Sequence, residues 1–142
     1  MAKKFSKNVK LVLDILENEV KGNVLGAMKK LHPHYTMTWV YQSSKGQLFP
    51  SARKISAKDL EKVYKIKDRH YDIKNIAEGK NLVMVEMVES YTDPKTKKKF
   101  RTPLVIVLEL INNKIKTGRH YCDPKLSYLY LSKKEVNKVF KK

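Results

Sequence analysis

The stretch Lys99–Pro124, KFRTPLVIVLELINNKIKTGRHYCDP, decides how the chain reads. Its first half is apolar on both alternating faces, with Leu104, Ile106, Leu108 and Leu110 on one and Pro103, Val105 and Val107 on the other. Side chains alternate across a strand, so a strand apolar on both faces is expected to be covered on both. Asn112-Asn113 is a two-residue connection of the kind that tolerates positive φ, which predicts a tight hairpin. With position 111 facing 114, Glu109 falls opposite Lys116, Val107 opposite Gly118, Val105 opposite His120 and Pro103 opposite Cys122. The other face then pairs Leu110 with Ile115, Leu108 with Thr117, Ile106 with Arg119 and Leu104 with Tyr121.

Working toward the N-terminus, two more strands are expected at about 70–77 and 81–91, joined through Glu78-Gly79-Lys80, and the charged run 93–99 forms a hairpin loop. Before them the period changes to that of helices. Val9, Val12, Leu16 and Val20 share one stripe over 8–21, widened by Leu13 and Ile15. Gly22 ends this helix and Asn23 is suited to cap a second, carrying Val24, Leu25, Ala27, Met28 and Leu31 and stopping before Pro33. The β-branched and aromatic run 35–41 reads as a strand, with Gln47-Leu48-Phe49 as a short return. Ser56 and Asp59 form the two halves of a capping box on a third helix, whose inner stripe is Leu60, Val63 and Tyr64. Residues 132–142 read as a short helix with Val136, Val139 and Phe140 on one side.

Two helices, a strand, a third helix and four antiparallel strands form an order that resembles the nuclear transport factor 2-like superfamily over about residues 8–126. The run Ile115–Pro124 is similar to the closing strand of its SnoaL-like and ketosteroid-isomerase-like members. The resemblance implies an α+β fold, a curved sheet shaped as a cone around three helices. It implies one domain over 1–142, with residues 127–142 a short C-terminal extension. It further implies a small-molecule pocket between the concave sheet face and the helices, and a homodimer through the convex face. The second cover of strand 99–111 would then be another subunit.

Aligning the closing strand with isomerase-like members puts Gly118, His120 and Cys122 on the pocket wall, together with their partners Val105 and Val107. Trp39, Tyr41 and Met37 share one strand face and serve as a further apolar wall, and Tyr64 faces inward from the third helix. His120 is the leading candidate for acid/base chemistry, since histidine titrates near neutral pH; a core histidine held by hydrogen bonds is the alternative. Asp123 is the second candidate, with a capping role before Pro124 as its alternative. Glu86 and Glu89 lie on opposite faces of their strand, so at most one enters the pocket, and Glu86 is carried as the lining residue. The isomerase reaction itself is disfavoured, because the positions matching its base, tyrosine and acid hold Trp39, Ile15 and Val107.

Composition narrows the classes. The 142 residues contain 31 Lys and Arg against 14 acids, a formal charge of +17, and 42% hydrophobic residues, too many for a disordered chain. Such charge favours anionic partners. Its spread over nearly every segment, without an interleaved aromatic platform, leaves nucleic acid a secondary candidate. Cys122 is the only cysteine, so no intrachain disulfide forms. No hydrophobic leader and no membrane-length apolar run occurs, and a cytoplasmic location is expected without a membrane partner. His32 and His34 flank Pro33 without a second cluster, so neither a metal nor another cofactor is expected.

Overall fold

The computed structural model describes residues 4–41, 51–54 and 56–141. Helix α1 (Lys7–Lys21) begins where the Ser6 side chain accepts a hydrogen bond from the Val9 amide, and ends at Gly22 with φ 73°. A non-glycine residue there would meet strain, since the left-handed cap places Cβ against the following carbonyl. Asn23 caps α2 (Val24–Met28) through the Gly26 amide. Strands β1 (Leu31–Trp39) and β2 (Ser51–Lys54) follow, then α3 (Ala57–Tyr64), closed at its start by reciprocal Ser56–Asp59 hydrogen bonds. The expected return strand at 47–49 lies outside the described residues.

Strands β3 (His70–Gly79), β4 (Leu82–Thr92), β5 (Lys99–Ile111) and β6 (Lys114–Tyr121) complete a six-stranded sheet in the order β2-β1-β6-β5-β4-β3. Among the described residues only the β1–β6 pair is parallel. The curved sheet and its helices make an α+β fold. β1 starts earlier than the sequence suggests, at Leu31 rather than beyond Pro33. Its pairing with β6 is irregular between Leu31 and Thr36, so proline sits where no ladder amide is demanded.

The tight turn is formed as expected, with Asn112 at φ 50° and Asn113 at φ 61°. Ile111 faces Lys114 and Leu110 faces Ile115, but Glu109 then faces Thr117. Lys116 is therefore an extra residue, a bulge that advances the register by one. Beyond it His120 faces Ile106 and Gly118 faces Leu108, so both share the face of Leu104, Ile106 and Leu108. Val105 and Val107 turn to the opposite side. That concave face receives Val9, Val12, Ile15 and Leu16 of α1 and forms the core with Val83, Val85 and Met87. Val20, assigned to the same stripe, is 44% exposed, because the inward face of the last turn is taken by Glu19, which meets Arg69.

Beyond β6 the chain folds back over the sheet. Asp123 caps α4 (Pro124–Ser127), Ser127 and Thr102 share a hydrogen bond, and the Tyr130 ring stacks on Phe100 at 5.4 Å. Tyr130 also donates to Asp93, and Arg101 donates to the Leu131 carbonyl. Helix α5 (Lys133–Asn137) carries the Ser132–Glu135 capping box and buries Val136 to 2% exposure beside Val88 on the convex face. Val139 stays exposed, as the chain passes into a 3₁₀ turn over 138–140. Part of the second cover expected over β5 thus comes from the chain itself.

Candidate functional site

The cone encloses a cavity of about 290 Å³ between the concave face and the helices. Its apolar floor comes from Ile15 and Leu16 of α1 and from Met87, Ile106, Leu108 and Ile115 of the sheet. Much of the rest is lined by aromatic side chains and Met37. Met37, Trp39 and Tyr41 stand on one side, Tyr64 reaches in from α3, and Tyr35, Tyr71 and Tyr91 complete the wall. Burial holds the hydroxyls of Tyr35, Tyr64 and Tyr71 well above the ordinary phenol range, so they are neutral donors at neutral pH.

A charged cluster faces this largely apolar space. Arg69, just before β3, has a side chain only 6% exposed; its Nη1 lies 2.6 Å from Glu89 Oε2 and 3.7 Å from Glu19 Oε1. The same nitrogen donates to Tyr71 Oη at 3.4 Å, and Tyr71 donates in turn to Glu19. The guanidinium lies 4.9 Å from the Tyr91 ring centroid. One cation cannot neutralise two carboxylates. Desolvation accordingly raises the pKa of Glu19, and Arg69 offsets this only in part. Arg69 Nε is buried without a hydrogen-bond partner.

His120 lines the same cavity, with its ring 5.9 Å from that of Tyr41 in an edge-on arrangement. Desolvation lowers its pKa, Glu89 opposes that shift, and Nδ1 is buried without a partner. The imidazole is therefore neutral at neutral pH. Asp123 is not in the cavity. It is exposed and accepts from the Lys125 amide at 3.0 Å, because a helix start next to Pro124 needs a side-chain acceptor.

The remaining wall residues divide by strand parity. Glu86 lies on the convex side, bonded to Asn75, and Glu89 is the acid that enters the cavity. Val105 and Val107 are corrected to the convex side as well, for the bulge at Lys116 reverses their parity relative to His120. Gly118 lies on the concave face beneath other side chains. A methyl group there would come within 2.9 Å of both Met37 Cε and Tyr35 Oη, so the glycine admits its neighbours rather than a ligand. Cys122 packs against the core, and burial pushes its thiol up to about 11, which removes thiolate nucleophilicity.

Glu19 and Arg69 were not singled out from sequence. Glu19 had a signal, since it stands three and four residues beyond Leu16 and Ile15 and so continues the buried stripe with a carboxylate. Arg69 had none. Among the described residues no group of three or more His, Cys, Asp or Glu could hold a metal ion, and no helix is long and apolar enough to cross a membrane.

Solved structures share this fold. IdmH from Streptomyces antibioticus, a proposed polyketide cyclase, matches at TM-score 0.70 with 12% identity, over 88% of this chain and 98% of its own. An LEH-like epoxide hydrolase from M. tuberculosis matches at TM-score 0.69 with 15% identity, over 94% and 96%. A protein of unknown function from Burkholderia pseudomallei K96243, called NTF2-like, matches at 0.70 with 13% identity, over 85% and 94%. The fold is nuclear transport factor 2-like. No protein-family model and no curated protein matches the sequence. The nuclear transport factor 2-like fold locates a pocket; the reaction must be argued from its side chains.

Proposed function

We propose that the protein adds water to a small, largely apolar molecule by general acid/base catalysis. One observation carries this reading: two cavity-lining carboxylates share a single guanidinium nitrogen, and one of them has a raised pKa. Environments that push two acids apart assign one as donor and the other as acceptor of a proton. Glu89, gripped at 2.6 Å, is the base, and Glu19 is the acid. Glu89 takes a proton from water as the water oxygen bonds to carbon. The carbon–oxygen bond of the substrate breaks, and Glu19 gives its proton to the departing oxygen. A proton returned from Glu89 to Glu19 restores the site. An epoxide suits this sequence because its leaving oxygen stays attached, and an epoxide hydrolase is among the proteins of similar fold.

His120 and the aromatic walls hold the substrate in this scheme, with neutral imidazole as a hydrogen-bonding group. Asp123 takes no part. The test is turnover of a panel of small aliphatic and cyclic epoxides to diols, followed by mass spectrometry in H₂¹⁸O. Parent activity that is lost in both Glu19→Gln and Glu89→Gln supports the reading; activity unchanged in either variant refutes it. A second reading, ligand binding without chemistry, is favoured by the unpartnered Nδ1 of His120 and Nε of Arg69, which a bound molecule would satisfy. Native mass spectrometry finding a co-purified molecule, with no turnover of the panel, would favour it.

We also propose a homodimer through the convex face, where Met84 and Tyr121 are each 40% exposed. Light scattering on the parent and on Met84→Glu decides it: a dimeric parent and a monomeric variant are expected.

A further inference from the structure

On the opposite side of the sheet from the large cavity lies a second pocket, of about 210 Å³, between β3–β5 and α5. His70, Ser90 and Arg101 are cross-strand partners in one row, and all three line it. Opposed side chains on antiparallel strands have Cβ atoms about 5 Å apart, so the serine hydroxyl stands between an imidazole and a guanidinium. Lys99 lies two residues along on the same face of β5, and Lys133 enters from the first turn of α5.

This pocket carries an uncompensated charge. Lys99, Arg101 and Lys133 take part in no ion pair among the described residues. The single acid on its wall, Asp72, is held by Lys74 at 2.7 Å. The roof is also fixed in place. Val136 is buried, Glu135 is committed to the Ser132 amide, Lys74 donates to Asn137, and Arg101 donates to the Leu131 carbonyl. Three cations drawn together over a preformed concavity repel one another unless an anion sits among them.

We propose that this pocket binds a phosphate group, as inorganic phosphate or as the phosphate of a small phosphorylated molecule. A phosphate monoester carries about 1.5 to 2 negative charges at neutral pH, against one for a carboxylate, and so suits three cations better. Arginine supplies a planar fork and the lysines supply point charges, the two modes by which proteins hold phosphate oxygens. The site is a bounded pocket rather than a track of cations, which favours a compact anion over a nucleic-acid strand.

The test is an amide NMR titration of the full chain with sodium phosphate at constant ionic strength. Saturable shifts confined to residues around 70, 90, 99–101 and 131–137 are expected. Lys99→Gln with Lys133→Gln should weaken binding about tenfold or more, because two charge-assisted contacts are lost. Lys99→Arg with Lys133→Arg should retain it. Lys10→Gln with Lys80→Gln removes the same charge from exposed positions elsewhere and should leave the affinity unchanged. The proposal is overturned if the shifts do not saturate, if both glutamine pairs weaken binding equally, or if a single-stranded oligonucleotide moves these residues while phosphate does not.

Discussion

Replacing Arg69 with methionine should destabilise the protein strongly at pH 8 and much less at pH 5. The guanidinium side chain is 6% exposed and sits 2.6 and 3.7 Å from two carboxylates. Two unit charges about 4 Å apart interact by about 4 kcal/mol at an effective dielectric near 20. Removing one partner of a buried pair costs about 3–5 kcal/mol, because the orphaned charge stays buried. That is a large part of the 5–15 kcal/mol typical of a domain and corresponds to about 10–17 °C in Tm for a chain of this length. Protonation limits the loss. Without Arg69 the desolvated carboxylate of Glu19 loses the cation that offsets its burial, so its folded-state pKa rises further and the folded protein binds more protons than the unfolded chain. Stability then rises as pH falls toward the ordinary carboxylate value, by about 1.4 kcal/mol per pH unit for each acid that titrates. Urea unfolding of parent and Arg69→Met at both pH values measures this. A deficit equal at pH 5 and pH 8 would refute the picture of two carboxylates held in the cavity by one cation. Adding Glu19→Gln and Glu89→Gln to the variant should recover most of the loss at pH 8.

Three further outcomes are expected. Glu19→Gln alone should gain stability relative to the parent as pH rises from about 4.5, since the parent must ionise a desolvated acid over that range and the amide does not; a constant difference in unfolding free energy across pH 4–8 would contradict the raised pKa. The Cys122 thiol, raised from 9.0 to about 11, should hold about a hundredfold less thiolate at pH 7.5 than an unperturbed thiol, and so react slowly with iodoacetamide until the protein is unfolded in urea. Val136→Ala should cost about 2 kcal/mol and speed amide exchange in 133–137, because Val136 is the one side chain α5 fully buries; a loss below about 0.5 kcal/mol would mean the C-terminal segment rests on its hydrogen bonds alone.

Element order was legible because each boundary rests on a local chemical preference. Gly22, Asn23, Ser56 and the pair Asn112-Asn113 meet demands of backbone geometry or capping that few residues satisfy, and all four act as their chemistry suggests. The C-terminal segment was half legible. Ser132 and Glu135 announce the start of α5, but nothing local says that Val136 would lie on the convex face, since that depends on Arg101 and Lys74 reaching it across the fold. The apolar character of both faces of β5 correctly asked for two covers, yet hydrophobicity does not say whether a cover comes from the same chain or another.

The site was less legible than the fold, and the reason is parity. Assigning a wall from a turn assumes an unbroken alternation. One extra residue, Lys116, exchanges the face of everything beyond it relative to the partner strand, replacing Val105 and Val107 with Ile106 and Leu108 beside His120 and Gly118. A bulge leaves no compositional mark. The ion pair of Glu19 and Arg69 was hidden differently, for the two are fifty residues apart and meet only when α1 lies across the sheet beside the start of β3. Yet one half of that pair was visible as a violation. Val12, Ile15 and Leu16 predict that the next residue on their stripe is apolar, and the chain places Glu19 there. A carboxylate within a buried stripe is costly unless the fold supplies a partner and a use for it, so the departure from the helical pattern, more than any motif in the sheet, is where the chemistry of this protein should be sought.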